Sequence, residues 1–106
     1  MTPASLSGLL TWIADEIDPD LQLATLRTFL FVASRGKCTQ KDVEHHLGSS
    51  NASASRNVSY WTDRRFDREP GMNFIRREED DYDRRMRNLT LTKKGEEFYA
   101  RLKDRL

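Results

Sequence analysis

The 106-residue sequence predicts a single, mostly α-helical domain with one small β-hairpin. Apolar residues recur at helical spacing in several segments of the chain. Cap residues and glycines mark where those segments begin and end. Residues 72–91 are the segment expected to form paired strands, and residues 88–91 there show the alternation of apolar and polar residues that is typical of a strand.

Two helices are predicted before residue 37. Thr2 is a good N-cap with Pro3 in the first turn, and this predicts a first helix up to residue 18. The pair Asp18-Pro19 repeats that signal and predicts the start of a second helix, which Gly36 ends. The residues of the second helix that are expected to face the core are Leu23, Leu26, Phe29, Leu30 and Ala33.

Residues 39–61 predict two helices joined by a tight turn. Thr39 can cap the first of them, and Asp42 three residues later can complete a capping box. Gly48 is expected to end that helix. Ser50 or Asn51 then begins the next helix, which runs to residue 61.

The second of these helices has one apolar face and one face of small polar side chains. The apolar face holds Ala54, Val58 and Trp61. The polar face holds Asn51, Ser53, Ser55, Arg56 and Ser59. Serine-rich stretches are more often loops or linkers than helices. The segment at residues 51–61, however, lies between a capped helix and a hairpin. This position favours a helix that enters a DNA groove, because small polar side chains allow a close approach to phosphates and base edges.

The predicted hairpin at residues 72–91 has an acidic centre, EEDDYD, between basic flanks. Its second half alternates, since Leu89 and Leu91 are separated by Thr90. Its flanking arginines suit a DNA backbone and its minor groove: Arg76, Arg77, Arg84, Arg85 and Arg87. Phosphates within about 8–10 Å would repel the acidic centre. Either these acids neutralise neighbouring arginines in a solvated turn, or Asp83 orients Arg85 while the other acids face solvent.

Composition excludes several classes of protein. Residues 1–20 hold four acids and no base, a charge of −4, so the rest of this +1 chain carries +5. A single cysteine, Cys38, forms no internal disulfide, and no signal peptide or apolar run of about 20 residues is present, which favours the cytoplasm and no membrane contact. The adjacent His45 and His46 lack metal-ligand spacing, so no metal or cofactor is expected. No nucleophile–base pair or phosphate loop indicates an enzyme.

The order of elements, three helices, a recognition helix, a two-stranded wing and a capped last helix at 93–106, is that of a winged helix-turn-helix. Its residues resemble the MarR-type transcriptional regulators over about residues 20–100. The matching segments are Arg35-Gly36, Thr39 to Gly48, Ser55-Arg56, Asp83-Arg84-Arg85 and Leu91-Thr92-Lys93-Lys94-Gly95.

The resemblance implies a regulator, such as a repressor, that binds a palindromic operator in double-stranded DNA as a homodimer. The helix at residues 51–60 would read the major groove, and the wing arginine that matches Arg85 would reach the minor groove. The candidate DNA-binding residues are Thr39, Gln40, Lys41, Ser50, Asn51, Ser53, Ser55, Arg56, Ser59, Arg76, Arg84, Arg85 and Arg87.

Three departures from the family pattern shape further expectations. Glu44 stands where the family has a small residue, so either the two helices are splayed or Glu44 meets a cation such as Arg56. The chain ends where family members continue into long helices, so a dimer would use the N- and C-terminal helices, and an effector pocket is not expected. The acidic wing and the near-zero net charge favour an alternative, a protein-interaction module that binds DNA weakly or not at all.

Overall fold

The computed structural model describes residues 1–106 and contains five α-helices and three short β-strands. The helices are α1 Pro3–Glu16, α2 Leu23–Arg35, α3 Gln40–Leu47, α4 Asn51–Trp61 and α5 Lys93–Lys103. The strands are β1 Lys37–Thr39, β2 Ile75–Glu79 and β3 Arg87–Leu91. This architecture confirms the predicted fold class, a mostly α-helical winged helix-turn-helix. No helix is both long enough and apolar enough to cross a membrane.

The predicted start of α2 at Asp18-Pro19 was wrong. The helix begins at Leu23, and the Asp18 side chain instead closes a turn, because its Oδ1 accepts a hydrogen bond from the Asp20 amide at 2.8 Å. Its Oδ2 accepts a second hydrogen bond from the Tyr60 hydroxyl at 3.2 Å. Leu23, expected in the core, is 71 % exposed since it lies in the first turn.

The sheet has one strand more than the sequence predicted. Its order is β1-β3-β2, with antiparallel pairing throughout. The unpredicted strand β1 places Cys38 opposite Leu89, and both side chains are buried. Within the predicted hairpin at residues 72–91, β2 begins only at Ile75 and β3 only at Arg87, and residues 80–86 form the turn at its tip.

Aromatic side chains from three helices and from the residue before β2 meet at the centre of the core. The ring of Phe29 on α2 lies 5.0 Å from that of Trp61 on α4 and 5.8 Å from that of Phe74 before β2. Phe98 on α5 stacks on Phe74 at 5.0 Å. Each such pair adds about 0.5–1.5 kcal/mol beyond burial. The Trp61 indole also donates to the carbonyl of Thr25 at 2.8 Å, so α4 is anchored to α2.

Helix α1 packs on the outside of this core and leaves part of its apolar stripe uncovered. Trp12 stacks on Phe98 with ring centroids 5.2 Å apart, and Ile13 is buried against α2 and α5. Leu6 and Leu10 remain 44 % and 45 % exposed. The apolar face of α1 is thus divided between the core and solvent.

Candidate nucleic-acid interface

Helix α3 and its turn into α4 are fixed by local hydrogen bonds. The Thr39 hydroxyl accepts from the Asp42 amide at 3.1 Å, and the Asp42 carboxylate accepts from the Thr39 amide at 2.9 Å, which confirms the capping box. The bond from the Thr39 amide is the main reason that the pKa of Asp42 lies below its ordinary 3.8. Gly48 ends the helix with φ 63°, and Ser50 caps α4 by accepting from the Ser53 amide at 3.1 Å.

Helix α4 divides into the two faces that the sequence predicted. Ala54, Val58 and Trp61 are fully buried. On the other side, Asn51 and Arg56 are exposed and Ser53 and Ser55 are half-buried. A helix with short polar side chains outward and a packed apolar side inward can enter a DNA major groove.

Ser59 does not belong to the exposed face, which corrects its place among the candidate residues. It is only 3 % exposed, and its hydroxyl accepts a hydrogen bond from Arg77 Nη2 at 3.0 Å. Ser59 lies one turn further along α4 than Ser55, where strand β2 covers the helix. Its hydroxyl therefore binds the wing arginine and is not exposed for contacts with bases.

Arg77 belongs to the site, although it is absent from the candidate DNA-binding residues that the sequence predicted. Besides Ser59, its guanidinium donates from Nη1 to Gln40 Oε1 at 3.0 Å and to Ser55 Oγ at 3.5 Å. Half-burial is the main reason that the pKa of Arg77 is lowered, and the nearby Arg87 lowers it further. Arg77 thus joins α3, α4 and β2.

The alternation of a strand gives a signal for this role. Side chains at successive positions point to opposite faces, so only one of Arg76 and Arg77 can face α4. Arg76 is the exposed one, with its Nε 3.5 Å from the carboxylate of Glu78.

Glu44 does not pair with Arg56, which was one of the two expectations that the sequence raised for it. Its carboxylate accepts a hydrogen bond from the Asn51 side-chain amide at 3.2 Å, so it binds the first residue of α4 and not Arg56. The Arg56 guanidinium instead lies 5.4 Å above the ring of Phe66 in the loop after α4. Asn51 and Arg56, the two exposed polar side chains of this face, therefore both contact neighbours before any ligand binds.

The wing tip is organised by one of its acids. Asp80 accepts hydrogen bonds from the amides of Tyr82 and Asp83 and from the side chain of Asn88, all at 3.0 Å. The bond from Asn88 is the first cause of the lowered pKa of Asp80. Tyr82 projects from this turn and is 99 % exposed. The acidic sequence thus folds as a compact turn with Asp80 at its centre.

The arginines at the wing differ in how strongly the acids engage them. Arg85 donates from Nε to Asp83 at 3.3 Å, the contact expected from the sequence, although its side chain remains 92 % exposed. Arg87 lies 3.7 Å from the Glu79 carboxylate. Arg84 is exposed and has no ion-pair partner. Both sequence interpretations hold in part, since some acids neutralise arginines while Asp83 orients one.

The other polar candidates frame this face at the start of α3. Thr39 and Gln40 are half-buried, with Gln40 held by Arg77, and Lys41 is exposed. At the other end of α3, His46 stacks on Phe31 with ring centroids 4.3 Å apart. No group of three or more metal-ligating side chains is assembled anywhere in the chain.

Comparison with solved structures identifies the architecture. The crystal structure of MarR superposes with a TM-score of 0.66 over 98 % of this chain and 77 % of that one, at 21 % identity. The fold is that of the MarR-type regulators. A MarR-like transcriptional regulator from Thermotoga maritima gives a TM-score of 0.65 at 20 % identity, covering 99 % of this chain and 75 % of that one.

Three of the similar solved structures contain DNA. MepR from S. aureus in complex with DNA matches at a TM-score of 0.67 and 18 % identity, over 95 % of this chain and 77 % of that one. No protein-family model and no curated protein sequence matches the chain. At 18–21 % sequence identity, the similarity to these solved structures shows the fold of the chain.

Proposed function

We propose that this protein is a sequence-specific regulator of transcription that binds double-stranded DNA and has no catalytic role. The observation that carries this proposal is the exposed polar face of α4, with Asn51 and Arg56 outward and a fully buried apolar side. Small polar side chains and arginine on such a face suit base edges in a major groove. The MarR-type neighbours, two of which were solved bound to DNA, support the same function.

The wing supports a second contact with the same duplex. Arg85 is almost fully exposed at the tip, and the Asp83 carboxylate holds its Nε side. An arginine presented in this way can enter a minor groove, whose negative potential attracts it. Lys41 and Arg84 are exposed cations that would contact phosphates and set the position of the protein on the DNA.

We further propose that the protein acts in the cytoplasm as a repressor, and that it binds an inverted-repeat operator as a homodimer. The uncovered part of α1, with Leu6 and Leu10, is a suitable apolar surface for a second copy. Exposed Leu106 at the other end of the chain adds to the apolar surface available at the terminal helices. Sedimentation equilibrium of the full chain and of a Leu6→Glu, Leu10→Glu variant tests this arrangement: the variant should be a monomer.

Selection of bound sites from a random pool of duplexes tests the DNA-binding function. We expect enriched inverted repeats whose half-site centres lie one helical turn, about 34 Å, apart. An Arg85→Ala variant should lose preference at the positions facing the minor groove. Pools that show no enrichment with the wild-type protein would refute sequence-specific recognition.

The role of Arg56 can be measured on the selected operator. We expect Arg56→Ala to weaken binding by about 1–3 kcal/mol and to relax specificity at one base pair. Arg35→Ala is the charge-matched control, because Arg35 lies over the ring of Phe31 on α2 and belongs neither to the candidate DNA-binding residues nor to the terminal helices. Equal losses for the two variants would mean that Arg56 acts only through its charge.

A protein-interaction module remains the second candidate, and the wing tip favours it. Asp81 and Tyr82 are both exposed there, and an acidic aromatic tip suits a basic partner protein better than phosphates. The two functions differ on a heparin or DNA column. The regulator should be retained and should elute with salt, whereas the interaction module should pass through.

A further inference from the structure

A second basic surface lies beside α4, and most of it lies outside the candidate DNA-binding residues. It is a groove of about 960 Å³ between α4, the loop at residues 62–74, the edge strand β2 and the start of α5. We call it the basic groove, and its outer cations are Arg64, Arg68, Lys93 and Lys94. Seven lining residues are Lys or Arg and one is acidic, so the groove carries +6 in a chain of net +1 and the remainder carries −5.

The four outer cations are exposed and have no partner among the carboxylates of the chain. Ion pairs do form nearby, since Arg65 lies 3.0 Å from Asp67. None forms at Arg64, Arg68, Lys93 or Lys94. Unpaired like charges that converge on one groove repel each other, and an anion placed between them relieves that repulsion.

The loop that presents two of these cations has a defined backbone. Arg64 and Pro70 form an antiparallel bridge, and the Gly71 amide donates to the carbonyl of Asp63 at 3.0 Å. The chain returns so closely to α4 that a Cβ on Gly71 would lie 2.0 Å from the carbonyl oxygen of Thr62. The positions of the loop cations are therefore set by the fold.

The lining and the position of the groove indicate the chemistry of its partner. Only two of its 15 lining residues are apolar, which does not suit a docked protein. The groove is continuous with the proposed DNA face, because Ser55 of α4 and Arg76 of β2 line both. A phosphate backbone has the negative charge that complements such a surface.

We propose that the basic groove binds the phosphodiester backbone of the operator duplex, next to the bases that α4 reads. This inference rests on the proposed DNA-binding function and extends its footprint beyond α4 and the wing tip. Contacts to phosphates add affinity and fix position but carry no base identity. The groove therefore strengthens binding to specific and unrelated duplexes by the same factor.

Two quadruple variants test the proposal. The neutral variant carries Arg64→Gln, Arg68→Gln, Lys93→Gln and Lys94→Gln. The matched control keeps every charge, with Arg64→Lys, Arg68→Lys, Lys93→Arg and Lys94→Arg. Kd is measured for the selected operator and for an unrelated duplex of equal length over a range of salt concentrations. The double variants of the loop pair and of the α5 pair, with circular dichroism of each, separate binding from folding.

We expect the slope of log Kd against log salt to fall by about 0.9 for each phosphate that the neutral variant no longer binds. The operator and the unrelated duplex should weaken equally, each double variant should show part of the effect, and the charge-keeping control should match the wild type. A wild-type slope in the neutral variant would overturn the groove while leaving DNA recognition by α4 intact. A wild-type protein that binds neither duplex would overturn both proposals.

Discussion

Replacing Arg77 with methionine should loosen the wing from the helix-turn-helix. The variant keeps an unbranched apolar stem but loses the bonds to Gln40 and Ser59, both 3.0 Å long in the structure. A hydrogen bond to a charged group contributes about 1.5–3 kcal/mol. Because half-burial of the guanidinium already costs part of that gain, we expect a net loss of about 2–4 kcal/mol in the free energy of unfolding.

Urea unfolding followed by tryptophan fluorescence measures this loss, since Trp61 is fully buried and becomes exposed on unfolding. Arg76→Met is the matched control, because Arg76 is the exposed neighbour on the same strand. Its pair with Glu78 is a surface ion pair, so the control should change stability by less than about 1 kcal/mol.

A double-mutant cycle with Ser59→Ala identifies the contact responsible. If Arg77 acts through Ser59, the two substitutions should be coupled by about 1 kcal/mol or more. Additive effects would place the stabilisation elsewhere. Equal stabilities of Arg77→Met and Arg76→Met would refute the assignment of Arg77 as the residue that fastens the wing.

Two further predictions concern glycines within helices and the cap of α3. Gly95→Ala should lower the free energy of unfolding by about 1–3 kcal/mol despite the better helix propensity of alanine, because the new Cβ would lie 2.1 Å from the carbonyl oxygen of Phe74. Gly8→Ala in α1 is the control: nothing lies within 4 Å of its Cβ, so it should raise the free energy of unfolding by up to about 1 kcal/mol. Thermal unfolding of the two variants and the wild type measures both effects. The Asp42 carboxylate has a lowered pKa in the folded state, so its contribution is present above the ordinary value of 3.8 and is lost as the pH falls through the folded value. Asp42→Asn should therefore show a smaller decrease in unfolding free energy between pH 5 and pH 3 than the wild type, and parallel curves would contradict the role of the Thr39 capping box.

Local signals predicted most of the helices because the residues that fix their ends are close in sequence. Thr39 with Asp42 and Gly48 at the end of α3 each act within one turn of the chain. The same signal failed at Asp18-Pro19, where the aspartate found an amide two residues on and a tyrosine 42 residues away. A capping pattern and a turn share their first residues, and only the tertiary contact decides between them.

The parts that the sequence did not reveal depend on distant partners. Strand β1 has three residues, too few for a periodic pattern, and it becomes a strand only because β3 pairs with it. In the same way, Arg76 and Arg77 are the same residue type at adjacent positions, so the sequence leaves the inward one undetermined. Which of the two arginines lies inward depends on the side of β2 that packs against α4.

The base of the wing is fixed just before β2 and at the middle of this strand, and this separates stability from binding. Before the strand, the carbonyl of Phe74 accepts from the Thr92 amide at 2.9 Å and lies against Gly95; within it, Arg77 holds α3 and α4. A slip of one residue would turn Arg77 outward and break all of these contacts. The exposed tip takes no part in them, so substitutions such as Arg85→Ala should change DNA binding without changing stability.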